Sequence, residues 1–207
     1  NTAVGYKALY TNSTGIYNTA VGWNALTANT TGQFNTAVGY QSLFDNETGM
    51  YNTTVGYASL NRNTSGKYNI AVGHKALSFN NSNSNTACGY QSLLDHRTGD
   101  NNTAIGYASG ANDVSGNNNT YFGYEADVDS SANEWINSTA LGANAKIKAS
   151  NQIMLGGLNN NSYPTVVVPG TLTTTNDASI NGITVGRGNS NNGTNTAVGY
   201  LALLVND

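Results

Sequence analysis

Residues able to do chemistry are sparse in this chain. Among 207 residues there are two histidines, one cysteine and 11 carboxylates. His74 takes a position that is aromatic in neighbouring repeats, and His96 follows Asp95 in a turn-like stretch. A zinc centre needs several His, Cys, Asp or Glu side chains converging on one point. Neither histidine has such a companion at ligand spacing, so both read as structural or solvated. The densest carboxylates are Glu125, Asp127 and Asp129, with Glu134 nearby. Strand alternation would set the first three on one face, where two could serve as acid and base on a glycan. Calcium would need roughly six to eight oxygens, and the Gly-Gly-x-Gly-x-Asp pattern of calcium-binding rolls is missing. These carboxylates therefore read as a solvated rim. Cys88 stands alone, which rules out a disulfide framework within the chain, and it reads as a small buried hydrophobe. The expectation is a protein without catalysis, metal or cofactor.

What would position any side chain here is a repeat. The hexad Asn1-Thr2-Ala3-Val4-Gly5-Tyr6 returns at 18–23, 35–40, 52–57, 69–74, 85–90 and 102–107. Looser copies lie at 119–124 and around Gly142 and Gly156, and a close copy returns at 195–200. The marking glycines Gly5, Gly22, Gly39, Gly56 and Gly73 are 17 residues apart, and Gly89, Gly106 and Gly123 keep nearly the same step. A fixed period of this size is the mark of a solenoid.

Aligned copies give columns with physical meaning. Before each glycine stand Val4, Val21, Val38, Val55, Val72, Cys88 and Ile105, all apolar. Five residues further on stand Leu9, Leu26, Leu43, Leu60, Leu77 and Leu93. Both columns are expected to line a core. Between them a small residue recurs, as Ala8, Ala25, Ser42, Ser59 and Ala76, which suggests close backbone packing. The leucine column stops at Gly110, Asp127 and Lys146, so the coil should change its cross-section there. Alternation around the β-branched residues argues for a short strand. Stretches such as Asn29-Thr30-Thr31-Gly32 read as turns, because Asn and Gly tolerate positive φ. Short strands and a turn in 17 residues make one coil of a parallel β-roll, with coils ~4.8 Å apart. The fold expected is all-β, a parallel β-solenoid in which stacked Asn1, Asn18, Asn35 and their successors hydrogen-bond along the axis. The glycines should mark a sharp turn or a close backbone approach.

The pattern lapses once. Residues 158–175 contain no hexad and hold both prolines, Pro164 and Pro169, with a plausible strand at 165–168. The domain reading is a roll at 1–157, an extended connector at 158–180 and the start of a second roll at 181–207.

Charge excludes some functions. With 8 basic and 11 acidic residues and a net charge of −3, no basic cluster suits nucleic acid. No apolar run approaches the ~20 residues of a membrane span. Asn, Thr, Ser and Gly carry the polarity, which suits an extracellular setting. The surface candidates are aromatic: Tyr6, Trp23, Tyr40 and Tyr57 in one column, and Tyr17, Phe34, Tyr51 and Tyr68 in another. Tyrosine can lay an apolar ring on a sugar while its hydroxyl stays wet, or the rings can brace the coils.

These hexads, with the small residues that follow them, resemble the heads of trimeric autotransporter adhesins. The longer 17-residue form, with Gly-Tyr-x-Ala-Leu and Asn-Thr-Thr-Gly, more closely resembles bacteriophage tail fibres. So does the run Asn151-Gln152-Ile153-Met154-Leu155-Gly156 leading to Val166-Val167-Val168-Pro169. The resemblance implies a homotrimeric fibre on a virion tail, acting in host attachment, with a surface glycan or protein as receptor. A bacterial cell-surface adhesin head is the alternative, as is a self-assembling extracellular filament subunit. A downstream membrane-anchoring barrel would select the adhesin, and a self-cleaving chaperone domain the fibre. Two further alternatives are an ice-binding solenoid, from the Thr2, Thr19, Thr36 and Thr53 column, and a glycan-degrading tailspike.

Overall fold

In a computed structural model the coils stack as a parallel β-solenoid. The structure describes residues 1–130 and 134–157, and the backbone alone of 178–180, 183–186 and 197–198. Each hexad supplies one three-residue strand: β1 (Thr2–Val4), β2 (Thr19–Val21), β3 (Thr36–Val38), β4 (Thr53–Val55), β5 (Ile70–Val72), β6 (Thr86–Cys88), β7 (Thr103–Ile105) and β8 (Thr120–Phe122). A short β9 (Asp127–Val128) precedes β10 (Thr139–Leu141), β11 (Lys146–Ile147) and β12 (Ile153–Leu155). Strands β1 to β8, β10 and β12 form one ten-stranded sheet in sequence order. Pairing is parallel with like on like, Thr19 opposite Thr36 and Val21 opposite Val38. Strands β9 and β11 pair on a second, two-stranded sheet.

The interior differs from the sequence reading in one respect. Leu26, Leu43, Leu60, Leu77 and Leu93 are fully buried, as expected, with Leu9 half-buried in the first coil. The valine column, by contrast, faces outward: Val4 is 57% exposed, Val55 41% and Ile105 37%. Cys88 is exposed too, and Val21, Val38 and Val72 are half-exposed. The wall of the core is instead Ala20, Ala37, Ala71, Ala87 and Ala104. The reason is steric. A coil of this length encloses room for one large side chain per level, which leucine fills, so the facing strand must turn its small residue inward. Asparagine lies on the same inner side, and its amide is satisfied there by the next coil.

Those amides form the predicted axial ladder. Asn35 donates its backbone N–H to Asn18 Oδ1 at 2.9 Å, and its Nδ2 reaches Gly49 O at 2.8 Å. A second buried ladder joins Asn29, Asn46 and Asn63 through Nδ2-to-Oδ1 bonds of 2.8 and 2.9 Å. The ladders thus pair most of the buried amide groups of successive coils, with Asn63 Oδ1 left without a hydrogen-bond partner.

The chain divides into two units, Asn1–Thr165 and Val166–Asp207. In the second, β13 (Ala178–Ile180), β14 (Ile183–Gly186) and β15 (Ala197–Val198) form an antiparallel sheet. The reading of 181–207 as a new parallel roll is not what these strands do. Val185 pairs with Val198, a step of 13 residues (198 − 185), below the 14 of the shortest coil (155 − 141). Strand β13 falls within the stretch read as connector, and the strand expected at 165–168 lies outside the described residues.

Candidate functional site

The surface that stands out is the outer side of the ten-stranded sheet. Alternation turns Thr19 and Val21 outward, and the aromatic columns continue the pattern two residues beyond on either side. Tyr17, Phe34, Tyr51 and Tyr68 edge the face before each strand, and Tyr6, Trp23, Tyr40, Tyr57, Tyr90, Tyr107 and Tyr124 edge it after. All of these rings are exposed. The result is a sheet face of Thr and Val flanked by two aromatic ridges along the axis.

Local backbone sets the ridges. Tyr17, Phe34, Tyr51 and Tyr68 have φ between 59° and 61°, a left-handed conformation costly for a residue with a Cβ. It turns the chain just before it enters each strand. From Ser84 this column changes chemistry to Asn101, Asn118, Asn137 and Asn151, all again at positive φ. Their side chains link along the axis: Asn101 Nδ2 donates to Asn118 Oδ1 at 3.2 Å, and Asn118 Nδ2 donates to Asn137 Oδ1 at 3.1 Å.

Ring geometry limits what the aromatics can do. Tyr17, Phe34, Tyr51 and Tyr68 stack with centroids 4.8, 4.9 and 5.1 Å apart. On the other ridge an unbroken stack runs from Tyr40 through Tyr57, His74, Tyr90 and Tyr107 to Tyr124, with spacings of 4.9 to 5.3 Å. Offset stacking of this kind is favourable in itself. It also covers the ring faces, so inner members offer edges and hydroxyls, and a sugar could lie flat only on an end ring such as Tyr17 or Tyr68.

The titratable residues are dispersed by the fold. His74 is one ring of the second ridge, between Tyr57 and Tyr90. His96 is fully buried and fills the column of Asn29, Asn46 and Asn63, its nitrogens 2.9 Å from Asp113 O and Gly99 O. The turn-like sequence around it had concealed that burial. Glu125, Asp127 and Asp129 do not share a face. Asp127 stands four residues after Gly123, in the column that leucine fills in earlier coils, so it turns inward while Asp129 stays exposed. Asp127 accepts from Asn112 Nδ2 at 2.8 Å and from the Val128 N–H at 2.8 Å, with Lys146 Nζ 3.9 Å away. Burial nevertheless pushes its carboxyl up to about 6, against the smaller opposing pull of those donors and the ammonium. Among the described residues no group of three or more His, Cys, Asp or Glu is placed to hold a metal.

The main feature the sequence reading missed is the outward pairing of the threonine and valine columns. Strict alternation separates Asn18, Ala20 and Gly22 on one side from Thr19 and Val21 on the other, without saying which side faces out. No family model, curated protein or solved structure matches this chain, so the functional reading rests on this geometry and on the repeat itself.

Proposed function

We propose that the chain is a segment of a bacteriophage tail fibre, in which identical copies pack around an axis through their outer sheet faces and hold a host-attachment surface away from the particle. The observation that supports it is the exposed Thr–Val face with its aromatic ridges. Ten strands at ~4.8 Å give about 45 Å along the axis, and the outward columns span ~20 Å across, so the face covers about 900 Å² per copy. That is the size each partner buries in a stable interface, about 800 Å². An unrelated globular partner would meet the face over a few coils. A second copy has the same axial repeat, so its columns stay level with these along the full length. The number three comes from the resemblance to tail fibres and trimeric adhesin heads, and the adhesin head on a bacterial surface is the second reading.

Sedimentation of natively assembled protein tests this directly. The expected species is an elongated trimer that binds host cells. A monomer with this face bare in solution would overturn the reading.

A further inference from the structure

One stretch of the inner asparagine column is not built of amides. The column runs Asn12, Asn29, Asn46, Asn63 and Asn80, then His96 and Asp113, and both of the last two are buried. We infer that His96 is held as an imidazolium ion against the Asp113 carboxylate, and that this level is a base-sensitive joint in a ladder otherwise built of neutral amides. The pair lies inside one chain, so the inference stands apart from any association between copies.

The ring's protons follow from what it faces. In earlier coils the column amide donates to the glycine carbonyl that ends its turn, as Asn29 Nδ2 does to Gly32 O and Asn46 Nδ2 to Gly49 O, both at 3.1 Å. His96 Nε2 takes that place, 2.9 Å from Gly99 O, and a carbonyl oxygen can only accept. Asn85 Nδ2 shares that carbonyl, as Asn18 Nδ2 shares Gly32 O. Ser82 Oγ beside it has Asn80 Oδ1 as an acceptor at 2.6 Å. Along the axis each amide donates back to the coil before, Asn46 Nδ2 to Asn29 Oδ1 at 2.8 Å. Asp113 has no N–H to give back, so the direction reverses, and His96 Nδ1 lies 2.9 Å from Asp113 O. With an acceptor at each nitrogen, the ring needs both protons. Asn102 Nδ2, 3.2 Å from Nε2, has Gly116 O at 2.7 Å and Asn85 Oδ1 at 3.1 Å for its two N–H groups.

Asp113 supplies the counter-charge. Its Oδ1 accepts from the Gly116 N–H at 2.7 Å and its Oδ2 from the Tyr121 hydroxyl at 2.8 Å, with Oδ2 4.0 Å from His96 Nδ1. A carboxylate so deeply buried calls for an opposite charge beside it. The preceding coil brings the neutral Asn80, Ser82 and Asn85, while Asp95, Arg97 and Asp100 of the same coil are half-buried or exposed. Loss of the ring proton would set a bare nitrogen against a carbonyl oxygen and leave the Asp113 charge unpaired in the interior. Base therefore loosens these coils and spares the amide-held ones.

Nitrogen-15 NMR of the natively assembled protein tests the charge, with His74→Phe leaving His96 as the one histidine. At neutral pH both ring nitrogens are expected to carry protons, and a bare nitrogen would overturn the proposal. Hydrogen exchange in the native chain tests the joint. After correction for the intrinsic rise of exchange with pH, amides of 93–121 should lose protection several-fold as base is added, while those of 19–60 keep theirs. An equal response in the two regions would overturn the joint. In His96→Asn/Asp113→Asn, which rebuilds the amide column, the local loss should vanish, and its persistence would also count against the pair. The first two measurements keep His96 and Asp113 in place, so they decide the matter even if the double variant does not assemble.

Discussion

Leucine adopts a left-handed backbone in one coil after another, with φ of 51°, 53°, 47°, 51° and 48° at Leu26, Leu43, Leu60, Leu77 and Leu93. Each such residue costs ~1–2 kcal/mol locally, and burial of its side chain, worth ~1.5–3 kcal/mol, offsets that. Glycine handles the position where no side chain fits. Gly39 has φ +130°, and a Cβ there would collide with the Gly56 carbonyl of the next coil. Gly39→Val should therefore destabilise the roll by more than ~2 kcal/mol, whereas Glu47→Gln, in an exposed turn, should leave thermal unfolding unchanged. Equal melting temperatures for the two variants would contradict the close approach. Asp127 gives a pH signature. Its folded carboxyl titrates near 6 against an ordinary 3.8, so the folded state binds the proton more tightly than the unfolded one. Stability from this group is full below about pH 4, falls as pH rises towards about 6, and levels off above that. The swing is about 3 kcal/mol, a tenfold change in proton affinity being worth ~1.4 kcal/mol. Denaturant unfolding across this window should show the decline in the native chain and its loss in Asp127→Asn.

At the level of the coil, the cross-section is conserved by exchange between walls. Most coils pair an inward alanine with an inward leucine. Near β8 the alanine position is Tyr121, fully buried, and the leucine position is Gly110, where a Cβ would lie 2.8 Å from Tyr121 Cδ2. The tyrosine hydroxyl then donates to Asp113 Oδ2 at 2.8 Å, and Asp113 stands where other coils have asparagine. Burial, and then the Asp113 carboxylate beside it, hold the phenol well above its usual range. Tyr121→Ala alone should leave a cavity costing ~3–5 kcal/mol, and Gly110→Leu alone should clash. The triple variant Gly110→Leu/Asp113→Asn/Tyr121→Ala rebuilds the ordinary coil, so its stability should exceed the sum of the separate changes by ~0.5–3 kcal/mol in a mutant cycle. Strict additivity would mean the three positions are not one packing unit.

For the whole assembly, the informative residue is Cys88. It is exposed on the sheet face in the valine column, so copies gathered around an axis would bring their thiols to one level. A bis-maleimide should then join the native chain to itself, and Val72→Cys in a Cys88→Ser background should do the same one coil away. Failure of both thiols to cross-link in assembled protein would place the contact on another face. With charged residues at only 9% of the chain, the contact is expected to be held by apolar burial, and added salt should not dissolve it.

Much of this was legible in the residues. The 17-residue period determined the solenoid, the hexad its parallel strand, the Asn columns their axial hydrogen bonds, and the marking glycines the close approach of successive coils. Each follows from a rule local to one coil and its copy, which a repeat writes out in full. What the sequence left open was which side of the strand faces the lumen. Alternation separates Thr and Val from Asn and Ala without saying which pair is buried, and apolarity alone pointed to valine. Only the closed coil decided it, because a lumen already filled by leucine admits alanine and excludes valine, leaving an apolar face outside. The placing of Asp127 was legible too: it stands in the leucine column, so its place in the repeat outweighs the strand alternation that would have grouped it with Glu125 and Asp129.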